Sequence, residues 1–225
     1  MKFEYANPKE VGLNADVLTQ MLCELEEKAE LHSIVIMKDD KVIVDGSWMP
    51  YEKDVPQMMH SLSKTGTSLC VGIAVSEGKL SLDDKFIEYV REDLPENYDR
   101  VLDQVTIYDL LTMQAGSAAC ANNVYFTALK SDWERTWLGE KRIAEDVGKA
   151  FHYDSGCSYT LSKIVSKVMG TTCINLLQER VFSKIGIDHV DWLHSPEGFN
   201  TGGWGMYLTA RQIARLGQLF LHGGR

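Results

Sequence analysis

Residues 33–46 read SIVIMKDDKVIVDG, two short apolar runs on either side of the polar tetrapeptide Lys38-Asp39-Asp40-Lys41. β-Branched runs that bracket a polar turn predict a β-hairpin. A hairpin alone is marginal in water, because it has too little apolar face to bury, so further strands or a covering helix must support it. Most of the remaining chain offers helix. Asn14 is placed to cap a helix in which Leu18, Met21, Leu22, Leu25 and Ala29 recur at helical spacing. Residues 61–76 are apolar enough for a buried helix, and Gly78 is placed to end it. Helical patterns return in TIYDLLTMQ, YTLSKIVSKVMG, INLLQERVFSKIG and TARQIARLGQLFLHG, with glycine breaks between them. The predicted order is helix, hairpin, then nearly all helix. This is an α+β chain, with residues 1–60 in a sheet region and residues 61–225 in a helical region. The N-terminal helix is the expected cover for one sheet face, and one strand edge should stay open.

Composition narrows the function classes. The 225 residues are enough for one large domain or two small ones. The formal charge of −9 comes from acidic and basic residues mixed along the chain. No basic stripe is present to neutralise phosphates, which argues against nucleic acid as a partner. The opening MKFEYANPKEVG lacks an apolar signal core, and no later run reaches membrane-spanning length. A cytoplasmic location with no membrane partner is therefore expected. The five cysteines (Cys23, Cys70, Cys120, Cys157, Cys173) are scattered, odd in number and without a C-x-x-C pair. They are expected to be buried or half-buried free thiols. His189 and His194 lie five apart, off one helical face, and imply no zinc site.

Two stretches carry chemistry. Ser61-Leu62-Ser63-Lys64 is an S-x-x-K tetrapeptide at the start of the apolar stretch. Residues three apart on a helix share a face, so Ser61 and Lys64 can meet. A serine hydroxyl attacks poorly until a base takes its proton, and a lysine amine stripped of its water can be that base. A serine in the first turn also leaves its own N–H free of intrahelical bonds, available to an oxyanion with the helix dipole behind it. The competing reading is a helix start with a solvated lysine. In FHYDSGCSYTLSKIV, Tyr153 precedes an apolar helix expected to begin near Tyr159. A loop tyrosine there can relay a proton if a cation stabilises its phenolate. Otherwise Tyr153 is a core tyrosine and Ser155 a turn serine.

Taken together, these segments resemble the serine β-lactamase and penicillin-binding-protein superfamily, and specifically its class C-like, β-lactamase-related serine hydrolases. The resemblance runs over residues 8–225 and rests on four ordered segments: HSLSKTGTSLCVGIAVSEGKLSLDDKF, TIYDLLTMQAG, FHYDSGCSYTLSKIVSKVMG and TGGWGMYLTARQIARLGQLFLHGG. In the second, Ala115 stands where the family usually has serine. In the third, Ser155 stands in the substrate-binding position where many relatives carry asparagine. The resemblance implies a β-lactamase/transpeptidase-like fold. It also implies that Ser61 attacks an ester or amide carbonyl to form an acyl-enzyme, while Lys64 and Tyr153 move the protons. Which of those two is the base stays open. The implied substrate is a small ester, amide or β-lactam-like molecule, and neither cofactor nor metal is implied. A serine at position 155 is also compatible with a hydrolase of other acyl compounds.

The family's third motif, a K-T-G-like or H-x-G-like strand, lies downstream of the G-G-x-G segment, and the sequence stops at Arg225. Loss of one oxyanion donor typically costs about 100- to 1,000-fold in turnover. The chain is accordingly expected to be the N-terminal part of a longer hydrolase, with the strands of the C-terminal sheet missing. Self-association or pairing with the missing C-terminal segment is expected at the open edge. The alternatives are a catalytically impaired binding or interaction module on the same fold, and a D,D-peptidase.

Overall fold

A computed structural model of the chain describes residues 3–117 and 132–224. The first elements are β1 (Glu4–Tyr5), α1 (Ala15–Lys28), β2 (Ser33–Lys38), β3 (Lys41–Ser47) and β4 (Gln57–Met58). Then come α2 (Lys64–Ser76), α3 (Ile107–Leu111), α4 (Trp133–Leu138), α5 (Ser155–Met169) and α6 (Cys173–Arg180). The last are β5 (Asp191–Trp192), β6 (Met206–Leu208) and α7 (Ala210–Leu221). They group into two compact units. One comprises Met1–Met58, Val181–His189 and Tyr207–Arg225; the other comprises Met59–Arg180 and Val190–Met206.

The first unit is built on the expected hairpin. Asp39 and Asp40 take positive φ values of 51° and 63°. This left-handed pair makes a tight turn whose twist suits the flanking strands. Pairing runs from Ser33↔Ser47 to Ile36↔Val44, then shifts by a bulge to Met37↔Val42 and Lys38↔Lys41. The hairpin does not stand alone. β1 runs parallel to β3, with Glu4 opposite Lys41 and Tyr5 opposite Val42, so the sheet order is β1-β3-β2. Among the described residues, β2 has only β3 as a strand neighbour.

Sequence spacing predicts α1 as a cover for one face of this sheet, and the structure adds a second helix with an extensive contact on β2. Asn14 does cap α1, its side chain accepting from the N–H groups of Asp16 (2.9 Å) and Val17 (3.3 Å). Yet no residue of α1 is buried. The helix against β2 is α7, nearly the whole sequence away. It is fastened by charge as well as by packing: Arg211 Nη2 lies 2.7 Å and Nε 2.9 Å from Asp45 Oδ2, which also accepts from the Tyr5 hydroxyl at 2.8 Å. A short antiparallel pair, Gln57↔Leu208 and Met58↔Tyr207, joins β4 to β6. Neither β1 nor the strands β4 to β6 follow from sequence periodicity, because two or three residues are too few to show one.

In the second unit α5 is the hub. Every residue from Ser155 to Ser166 is buried, and α2, α3, α4 and α6 all pack on this helix. Its Ser, Gly, Cys and Thr residues are small enough to let neighbouring helices approach, while Tyr159, Leu161 and Ile164 fill the core. The buried Lys163 is held at 2.9 Å from Asp93 Oδ2 and 3.1 Å from Glu197 Oε1. α5 begins at Ser155, four residues before the expected start, because the Asp154 side chain caps it by accepting from Gly156 N–H at 2.8 Å. Cys70, Cys157 and Cys173 are buried free thiols, whereas Cys23 is exposed; Cys120 lies outside the described residues. Among the described residues, no helix is long and apolar enough to cross a membrane.

Candidate active site

The stretch that begins with Met59 does not enter the helix directly. His60–Ser63 forms a 3-10 turn and α2 starts at Lys64, so Ser61 precedes the α-helix instead of opening it. This favours the contact, since residues three apart eclipse in 3-10 geometry. Lys64 Nζ lies 3.3 Å from Ser61 Oγ. The turn is anchored from beneath. The Ser63 hydroxyl, fully buried, donates to the His60 carbonyl at 2.7 Å and accepts from Met206 N–H at 3.0 Å. Met59 N–H donates to the Met206 carbonyl at 2.8 Å. These bonds hold His60 at φ 42°, a left-handed conformation that costs a non-glycine residue on the order of 1 kcal/mol.

Residues 153–155 converge on the same point. The Tyr153 hydroxyl is hydrogen-bonded to Ser61 Oγ and accepts from Lys64 Nζ at 2.8 Å. Ser155 Oγ, at the first position of α5, accepts from Lys64 Nζ at 3.2 Å. A fourth partner is the Gly203 carbonyl, 2.8 Å from the same nitrogen. An ammonium has three protons, so with four acceptors in reach the two short bonds take one each. The longer contacts to Ser61 and Ser155 share the third. The loop that brings Gly203 in is tied to α2, because Thr67 Oγ1 donates to the Gly202 carbonyl at 2.7 Å. Gly202 itself must be glycine: φ is 68°, and a Cβ there would sit 2.2 Å from the Ser158 carbonyl oxygen.

The cation beside it perturbs the Tyr153 phenol. Burial pushes the Tyr153 phenol up, but its hydrogen bonds from Lys64 and Ser61, together with the ammonium charge, outweigh this and hold it below its ordinary value. Tyr153 is 41% exposed, so a substrate can reach the group from solvent. The four residues singled out in sequence therefore lie together around one nitrogen. Three contributors were not singled out. Ser63 was visible only as the filler of S-x-x-K; Asp154 was hidden between Tyr153 and Ser155. The Gly203 carbonyl is a backbone atom, which leaves no trace in residue type beyond the glycine-rich TGGWG.

A family model described as Beta-lactamase matches residues 24–225. The chain belongs to the Beta-lactamase family. Among curated proteins, it is 24% identical to the 6-aminohexanoate-dimer hydrolase of Paenarthrobacter ureafaciens, over 97% of this chain and 60% of that protein. Among solved structures, FmtA from Staphylococcus aureus superposes with a TM-score of 0.77 at 13% identity, covering 99% of this chain and 69% of that one. A class C beta-lactamase superposes with a TM-score of 0.71 at 17% identity, covering 93% and 64%. The chain thus has the β-lactamase/transpeptidase-like fold, and it spans about 60% of the length of the curated relative it matches.

Proposed function

We propose that this Beta-lactamase family chain carries the nucleophile machinery of a serine acyl hydrolase, acting on a small ester, amide or β-lactam-like substrate through an acyl-enzyme on Ser61. One observation carries the reading: Ser61 Oγ, the Tyr153 hydroxyl and Lys64 Nζ are mutually within hydrogen-bond reach. In this mechanism Tyr153, its phenolate held by the Lys64 ammonium, takes the Ser61 proton as Oγ attacks the carbonyl carbon. The oxygen of the tetrahedral intermediate is received by the Ser61 N–H, at the N-terminal side of α2, where the helix dipole favours negative charge. Tyr153 then passes the proton to the departing oxygen or nitrogen, the C–O or C–N bond breaks, and the acyl-enzyme remains. Water, giving its proton to Tyr153, attacks the ester carbonyl carbon; Tyr153 then returns that proton to Oγ as the ester C–O bond breaks, which releases the acid and restores the Ser61 hydroxyl. Ser155 presents a hydroxyl beside this relay, 3.2 Å from Lys64 Nζ, which is compatible with a hydrolase of acyl compounds.

A fluorophosphonate probe followed by peptide mapping tests the reading. Labelling at Ser61, abolished in Ser61→Ala, is expected. Labelling that persists in Ser61→Ala, or a wild-type protein that never labels, would instead favour a binding module on the same fold.

A further inference from the structure

Asp154 is placed where a carboxylate is costly. It lies between Tyr153 and Ser155, both of which reach Lys64, yet it points the other way and its side chain is wholly inaccessible. Helix capping alone does not call for a charge, since asparagine caps equally well. Moving a carboxylate out of water is unfavourable unless partners compensate. Here the partners are a set of their own. Oδ1 accepts from Gly156 N–H at 2.8 Å, Oδ2 accepts from Trp137 Nε1 at 2.8 Å, and Arg142 Nη1 lies 3.7 Å from Oδ2. The Arg142 side chain is equally inaccessible, donates through Nη2 to the Trp137 carbonyl at 2.7 Å, and stacks 4.4 Å over the Trp137 ring. The fit is tight on the helix side as well, because a Cβ on Gly156 would come within 2.2 Å of the Trp137 ring.

The consequence is geometric. Asp154 has extended backbone (φ −142°, ψ 113°), so its neighbours project to the opposite side from its own carboxylate. Fixing the carboxylate at both oxygens fixes the peptide planes on either side of residue 154. Those planes set where the Tyr153 hydroxyl and Ser155 Oγ fall. We infer that Asp154, clamped by Trp137 and Arg142, is a positioning residue that holds Tyr153 and Ser155 against Lys64. The inference deepens the proposed reaction and rests on that reading for its kinetic consequence, while its structural consequence stands apart from it.

The test uses Asp154→Asn and Trp137→Phe in the intact protein, with two readouts. The first is ultraviolet difference titration of Tyr153, isolated by subtracting the same background carrying Tyr153→Phe. Wild type should titrate below an ordinary tyrosine, Asp154→Asn should move upward, and Trp137→Phe, which removes one of the bonds, should fall between. The second is the rate of fluorophosphonate labelling per titrated site, expected to fall about 10- to 100-fold in Asp154→Asn, as for other small misplacements of a reacting group, with saturation concentration unchanged. A merely structural role would lower the melting temperature and leave both readouts of the folded fraction in place. An Asp154→Asn protein that folds and keeps the wild-type titration and rate overturns the inference. If Asp154→Asn does not fold, an unchanged Trp137→Phe does the same. A wild type that never labels sinks the hydrolase reading, and the titration still decides the clamp.

Discussion

Glu134, on α4, is wholly buried: Oε1 accepts from Thr160 Oγ1 at 2.8 Å, and Oε2 has no hydrogen-bond partner among the described residues. Burial pushes its carboxyl up to about 8; Lys163 and the Thr160 bond pull it down, and the Asp93 and Glu197 charges add to the rise. The sign of the effect on stability follows directly. The native value lies above the ordinary 4.5, so between these two values the native state holds a proton that the unfolded chain has released. This contribution to stability is complete below about pH 4.5 and is lost as the pH rises through about 8. A pKa difference of about 3.5, at roughly 1.36 kcal/mol for each pKa unit, puts the ceiling of the loss on the order of 5 kcal/mol. That is a large share of the ~5–15 kcal/mol that holds a domain together.

Glu134→Gln keeps the acceptor for Thr160 and cannot ionise. Its stability should match wild type within ~1 kcal/mol near pH 5. Its advantage should then grow to several kcal/mol by about pH 9. Urea unfolding followed by tryptophan fluorescence at a series of pH values measures both curves, and titrations common to the two proteins cancel in the difference. Curves that stay parallel from about pH 5 to 9 would refute the reasoning, because they would mean that Glu134 ionises inside the fold as easily as outside it.

In the proposed mechanism Lys64 and Tyr153 form one proton-transfer unit, so Lys64→Ala and Tyr153→Phe should each slow acylation of Ser61 by about 100- to 10,000-fold, and the double variant should be about as slow as the worse single one. Stopped-flow acylation rates check this, and multiplying losses would show that one of the pair only places the substrate. Gly156→Ala drives a methyl group into the Trp137 ring and should destabilise by about 1–3 kcal/mol or more, as overpacking does; a melting temperature equal to wild type would contradict the tight fit. Thr209 and Gln212 form a reciprocal cap at the start of α7, bonding at 3.2 Å and 2.8 Å. Thr209→Ala should therefore cost about 0.5–2 kcal/mol in urea unfolding, whereas a loss below ~0.3 kcal/mol would mean that the α7 contacts alone set this helix end.

What could be read along the chain is what depends on near neighbours. The Asp39-Asp40 turn, the Asn14 cap and the spacing of Ser61 and Lys64 each involve groups within a few residues of one another, so residue type and order carry the physics. The family segments extended this reach, because TGGWG and YDS were recognisable as motifs before their contacts were known. Residue 155 was legible as a position, though its place at the first turn of α5 depended on the Asp154 cap, which a run of HYDS does not separate from a loop.

The rest depended on pairings across long sequence separations. Tyr153 meets Ser61 from 92 residues away, and the Gly203 carbonyl meets Lys64 from 139 residues away. β1 and β4 to β6 are too short for alternation to register, and their hydrogen bonds arise only once distant segments lie side by side. α7 packs on β2, and its Arg211 meets Asp45 of β3 at 2.7 Å, contacts that form only when distant parts of the chain lie side by side. Asp154 shows the same limit most plainly. Its neighbours in sequence are a phenol and a hydroxyl that face Lys64, but its own partners, Trp137 and Arg142, come from an earlier part of the chain. A carboxylate's cost is set by the dielectric and the charges around it, and packing supplies both.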